Sequence, residues 1–188
     1  MKDSKKLKEK AENIVNDLKK LFPNSRTVLV YKSPFELLVA VILSARNTDK
    51  KVNDVTKDLS KLGLFRQKAK FVKKTAEILL EKHNGELPKT MSELISLPGV
   101  GRKTANIILG NVYGIVEGIA VDTHVARLSK LFGLTKNSDP SKIEKDLMRL
   151  LPKEEWFDFT NRMIDYGRKY CPAHCKHIDC PLRNFIEY

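Results

Sequence analysis

Three groups of residues in this chain have types and spacings able to do chemistry. The first is the run Leu97-Pro98-Gly99-Val100-Gly101-Arg102-Lys103-Thr104-Ala105, which lies between two helical patterns. Pro98 ends the first pattern, and the two glycines accept backbone angles that other residues resist. Amides at the start of the next helix, with the positive end of its dipole, then suit a phosphate-like anion. On that physics alone the run is an anion-binding turn or a plain helical corner, with Lys103 a solvated lysine in a first helical turn. The second group is Val121-Asp122-Thr123-His124. Asp122 there is either a helix N-cap or a working carboxylate, and His124 is either structural or part of a site. The third group is Cys171, Cys175 and Cys180, with His174 and His177 among them. So close a set suits a metal clip or reduced thiols rather than a disulfide framework.

Helical periods supply the elements that position these groups. Leu7, Ala11, Ile14, Val15, Leu18 and Leu21 recur every three or four residues and predict an amphipathic helix over 5–21. Ser33-Pro34 is a cap and first-turn proline opening the apolar run Phe35–Ala45, the candidate central buried helix. A further helix is expected from Asp49 with Val52, Val55 and Leu59 on one side, and another from about Arg66 to His83. The latter opens RQKAKFVKK, five cations and no acid, which is either a solvated face or a phosphate-tracking one. Short helices follow around 91–96, after Gly101 and after Asp122, then one capped by Asp139-Pro140 and a last one through 153–170. Residues 27–31, TVLVY, could form a short strand, although nothing else offers a pairing partner. The expected fold class is all-α.

The chain has 188 residues, 41% of them hydrophobic, enough for a real core in one domain or two small lobes. Lys and Arg total 35 against 23 Asp and Glu, a formal net charge of +12. That imbalance points to a polyanionic partner, nucleic acid before a membrane surface. The longest apolar run is broken by Glu36 and Ser44 and is too short to span a bilayer. The N-terminus carries charges where a signal peptide would be apolar, so an intracellular location, nucleoid or cytoplasm, is expected. With no exposed heptad or apolar stripe, a monomer is expected.

The full string LPGVGRKTA resembles the helix-hairpin-helix motif of DNA glycosylases. With VDTH at 121–124, SPFELLVAVILSA at 33–45, LLEKHNGELP at 79–88 and the C-terminal GRKYC, the chain is identified as a member of the endonuclease III family. The resemblance covers most of the chain. It implies a two-lobed helix-hairpin-helix DNA glycosylase fold, with 1–24 and 115–188 forming one lobe and 25–114 a six-helix-type lobe carrying the hairpin at 97–105. It also implies that Lys103 is the nucleophile and Asp122 the catalytic carboxylate of a base-excision repair glycosylase with abasic-site lyase activity. The implied substrates are oxidised pyrimidines and abasic sites in double-stranded DNA. Attack at the sugar C1′ needs a neutral amine, which partial burial and the helix N-terminus would favour. The resemblance further implies DNA contacts by Leu97, Gly99, Val100, Gly101, Arg102, Thr104 and His124. Arg46 and Leu64 match the two residues that fill the gap left by a flipped base.

Two departures from the family stand out. Between Asp49 and Gly63 the chain is short by about one or two helices, which predicts a shortened six-helix lobe and leaves a same-fold glycosylase for another lesion or mismatch as an alternative. A non-catalytic DNA-binding hairpin module is the other, though it would not require Lys103 together with Asp122. The second departure is the tail. Typical members hold an iron–sulfur cluster of four irons and four sulfides through four cysteines. Here Cys171 and Cys180 match the first and third positions, His177 stands where the second belongs, Cys175 is displaced and Ile186 falls near the fourth. Three readings stay open: a cluster with a non-cysteine ligand, zinc on Cys171, Cys175, His177 and Cys180, or a metal-free loop packed through Phe185, Ile186 and Tyr188. The catalytic chemistry needs no cofactor on any of them.

Overall fold

In the computed structural model, residues 2–44, 52 and 65–187 are described. Among them the regular structure is helical, with no strand. The α-helices are α1 (Lys2–Leu21), α2 (Pro34–Ser44), α3 (Phe65–His83), α4 (Met91–Ser96), α5 (Arg102–Ile108), α6 (Thr123–Leu131), α7 (Pro140–Leu150) and α8 (Trp156–Lys169). A π-helical turn, Leu109–Tyr113, continues α5. The chain divides into two compact units, Met1–Thr27 with Gly118–Tyr188, and Val28–Glu117.

In the first unit the stripe Ala11, Ile14, Val15 and Leu18 of α1 packs with Val125 and Leu128 of α6, Ile143 and Leu147 of α7, and Phe159 and Met163 of α8. Apart from Ala11, each of these apolar side chains is worth about 1.5–3 kcal/mol when removed from water. Local chemistry sets the helix starts. Asp139 Oδ1 accepts from the Lys142 amide at 3.0 Å with Pro140 in the first turn, as the sequence pattern predicts. Buried Arg162 bridges two acids on the outside of this core, Glu155 at 3.1 Å and Asp158 at 2.9 Å. The Tyr166 hydroxyl accepts from the Leu182 amide at 3.2 Å and so ties the C-terminal loop to α8.

In the second unit α2 is apolar on most faces and buries Leu37, Leu38, Ala40, Val41, Ile42 and Leu43, which fits its expected central place. Ser33 Oγ caps it by accepting from the Glu36 amide at 3.2 Å. α4 starts with the cap Thr90, whose Oγ1 accepts from the Glu93 amide at 3.3 Å and donates to the Glu93 carboxylate at 2.5 Å. One cation of the α3 run departs from both sequence expectations. Lys68 is buried, and its Nζ donates to the Leu43 carbonyl at 3.0 Å. It therefore serves the last turn of α2, where carbonyls lack intrahelical partners and the helix dipole is negative. Arg66, Lys70, Lys73 and Lys74 are exposed.

The possible strand at 27–31 is not formed; all regular elements among the described residues are helical, so no neighbour exists to make a ladder. Val30 there is 71% exposed. The helix expected from Asp49 lies outside the described residues except for Val52, which is helical and buried.

The turn from α4 to α5 is held from two sides. Thr75 Oγ1 of α3 donates to the Pro98 carbonyl at 3.2 Å, and the Val100 amide donates to the Leu97 carbonyl at 3.1 Å. Gly99 has φ +78°, and a Cβ added there would stand 2.8 Å from the Phe71 ring. Gly101 differs, with φ −102° and nothing within 4 Å of an added Cβ. Gly99→Ala is therefore expected to cost about 2–4 kcal/mol, a left-handed backbone penalty plus overpacking on Phe71. Gly101→Ala should cost under about 1 kcal/mol. Urea unfolding of both variants checks this, and equal losses would contradict it.

Candidate active site

Lys103 is the second residue of α5, one position after the residue that follows the cap Gly101. Its side chain is exposed, so the partial burial expected from the sequence is not found. Arg102 beside it is also exposed, and Thr104 is half-buried. Gly101 lacks a side chain to cap α5, and the space beside it is open. A polyanion backbone could approach these first-turn amides closely, which a larger residue at 101 would hinder. Leu97 and Val100, expected at a DNA surface, have buried side chains that belong to the apolar core of their unit. Only their backbone can face a ligand, because the hairpin uses these side chains as anchors.

Asp122 is the N-cap of α6, with Oδ1 accepting from the Val125 amide at 2.8 Å. The bland sequence reading is thus realised in structure. It does not consume the group, because one carboxylate oxygen holds the helix while the other has no acceptor duty in that cap. His124, two residues on, is half-buried and lies over Gly167 of α8. A Cβ at position 167 would collide with the imidazole, so the glycine in GRKYC gives the histidine its seat. Lys103 belongs to the unit of 28–117 and Asp122 to the other. Arg46 and Leu64 lie outside the described residues.

At the C-terminus the structure brings together Cys171, Cys175, His177 and Cys180, whose ligand atoms all lie within 4.8 Å of one another. These four residues can hold a metal ion. His174 is exposed and outside the set, while Phe185 and Ile186 pack on the apolar core of their unit. Cys175 Sγ stands 3.3 Å from Cys180 Sγ, and His177 Nδ1 is 3.4 Å from Cys171 Sγ and 3.8 Å from Cys180 Sγ. Burial, with repulsion from the neighbouring sulfurs, pushes the Cys180 thiol up to about 12. The His177 amide, donating to Cys175 Sγ at 3.3 Å, holds that thiol below its ordinary value. Sequence reasoning missed the role of Arg127, whose guanidinium donates to Cys171 Sγ at 3.6 Å and to the Cys171 carbonyl. It sits one helical turn after His124, and nothing local in VARLSK distinguishes it from a solvated arginine.

This donor set does not suit the family's iron–sulfur cluster. A cube of four irons takes one thiolate on each corner, and three cysteines leave one corner to an imidazole. Ligand atoms within 4.8 Å of each other also converge on a single point rather than around a cube. Among the described residues no helix is long and apolar enough to cross a membrane.

Comparison with known proteins places the chain. A family model described as HhH-GPD superfamily base excision DNA repair protein matches residues 53–153. The endonuclease III of Synechocystis sp. is 43% identical, over 88% of this chain and 86% of that protein. A solved non-covalent endonuclease III–DNA complex matches with a TM-score of 0.89 at 39% identity, covering 96% of this chain and 95% of that one. A trapped endonuclease III–DNA covalent intermediate, an estranged-adenine complex, matches with the same TM-score of 0.89, identity of 39% and coverage of 96% and 95%. Sustained over most of both chains, this similarity means that the chain belongs to the endonuclease III family, within the HhH-GPD superfamily of base excision DNA repair proteins.

Proposed function

We propose that this protein is a base-excision repair DNA glycosylase with abasic-site lyase activity, which removes oxidised pyrimidines from duplex DNA through a lysine Schiff base. The observation that carries the reading is Lys103 in the first turn of α5, directly behind the Gly99–Gly101 turn. A DNA-binding hairpin alone needs the turn; only the lyase needs an amine there. The family relationship and the solved complexes of relatives with DNA support the same reading.

Lys103 Nζ, as the free amine, attacks C1′ of the damaged nucleotide and the base leaves with its bonding electrons and a proton. The sugar ring opens to an imine on Nζ, which acts as an electron sink. Loss of a C2′ proton then expels the 3′ phosphate, and water releases the lysine and a 3′ unsaturated aldehyde. Asp122 offsets positive charge growing on the sugar and carries the proton from the attacking amine. Since Lys103 is exposed in the free protein, the bound DNA itself removes water from around the amine. The Gly101 turn and exposed Arg102 position the phosphates, and His124, held by Gly167, supports the sugar–phosphate side. Arg46 and Leu64 fill the vacated stack. A substrate that is DNA implies an intracellular place of action.

Two duplexes test this, one with a single thymine glycol and one with a single abasic site. The wild-type protein should excise the thymine glycol and, in each duplex, nick the damaged strand alone, on the 3′ side of the abasic sugar. Lys103→Gln should bind the abasic duplex with near wild-type affinity and give no β-elimination product; nicking at the wild-type rate would overturn the assignment. Asp122→Asn separates the carboxylate's two jobs. Asn caps helices about as well as Asp, so its melting behaviour should match wild type within about 0.5 kcal/mol. Its single-turnover excision rate should fall by roughly 10²- to 10⁴-fold.

A further inference from the structure

We propose that Cys171, Cys175, His177 and Cys180 bind one zinc ion, in tetrahedral coordination, at the place where relatives of this fold carry an iron–sulfur cluster. The inference is independent of the glycosylase reading, because it rests on the C-terminal loop alone.

Geometry gives the first argument. Around one zinc, thiolates stand at about 2.3 Å and imidazole nitrogens at about 2.0–2.1 Å, which places neighbouring ligand atoms roughly 3.5–3.8 Å apart. The observed separations are 3.3 Å for Cys175–Cys180, 3.4 Å for Cys171–His177 and 3.8 Å for Cys180–His177. The whole set falls within 4.8 Å. One ion fits that space and a cube of four irons does not.

Backbone geometry gives the second. His177 has φ +59°, a left-handed conformation that a histidine adopts at a cost of about 1–3 kcal/mol. That conformation brings both its ring Nδ1 and its own amide to the sulfurs, the amide donating to Cys175 at 3.3 Å. An N–H donor to a sulfur stabilises the thiolate that a metal requires.

Charge gives the third. Zinc with three thiolates and a neutral histidine carries one net negative charge, and the guanidinium of Arg127, 3.6 Å from Cys171 Sγ, cancels it. Cys171 and Cys180 are buried, so this cancellation matters more than it would in water. Cys175, the residue displaced from the family's pattern, is then the replacement ligand. Binding converts three S–H groups to thiolates and releases up to three protons. The contacts that the Cys180 and Cys175 thiols now make with the Tyr170 carbonyl, at 3.2 and 3.5 Å, give way to bonds to the metal.

The ion would also explain how an irregular loop is held. Residues 171–182 form no helix, yet Leu182 is buried against the α6–α8 core. The ion cross-links the end of α8 to the loop, and Arg127 extends that link to α6.

The test is elemental analysis and absorption of the full chain purified without added metal or chelator, followed by exchange to cobalt(II). The proposal expects one zinc per chain, no iron and a colourless protein. The cobalt form should show the intense visible bands of a tetrahedral site and thiolate charge transfer in the near ultraviolet. Cys175→Ser should lower that charge-transfer intensity by about a third, because one thiolate of three is lost, and weaken zinc at least about tenfold in chelator competition. His177→Ala should keep all three thiolates but change the visible bands, which guards against reading a folding defect as ligand loss. A brown protein with about four irons per chain, a single iron, or no bound metal from a folded chain would each overturn the proposal. So would a cobalt spectrum indifferent to Cys175→Ser.

Discussion

Much of the site depends on the backbone reversal at 98–101. The chain must leave α4, turn and start α5 within a few residues, and it does so with Gly99 in a left-handed conformation against the Phe71 ring. Leu97 and Val100 pin the two sides of the turn into the apolar core, and Thr75 holds the Pro98 carbonyl. Because these contacts fix where α5 begins, they also fix which residue occupies its first turn with an exposed amine. The apolar side chains of the hairpin are anchors, and Arg102 and Lys103 beyond Gly101 are exposed. A turn fixed by packing thus carries an exposed lysine in the first turn of α5.

The same economy appears at Asp122. A carboxylate at a helix start is held in place by the amide it caps, so the group is oriented without an additional partner. His124 obtains its place from the missing side chain at Gly167. Both arrangements belong to the unit built from the chain ends, and the hairpin belongs to the other. The two sets of residues are therefore separately stabilised, each by its own core.

Much of this was legible in the sequence because it is local. The stripe of α1, the Ser33 and Asp139 caps and the glycine turn before Lys103 are properties of a few consecutive residues, and short-range rules read them. What escaped depends on partners distant in the chain. Lys68 looked like one of five similar cations, and only the end of α2, 25 residues away, makes it a buried cap. Arg127 meets Cys171 across 44 residues. The TVLVY run has the side chains of a strand, but among the described residues there is no second strand to pair with. At the cysteine cluster, spacing alone left three readings open, since convergence of four ligand atoms is a fact of the folded loop.

The central claim is that Lys103 forms the covalent bond to the sugar. The most direct measurement is borohydride trapping on a duplex with one abasic site, followed by peptide mapping of the adduct. The account predicts one adduct per chain, on the peptide that contains Lys103, and none from Lys103→Ala. An adduct on a different residue, or none from wild-type protein that is folded and binds the duplex, would contradict it.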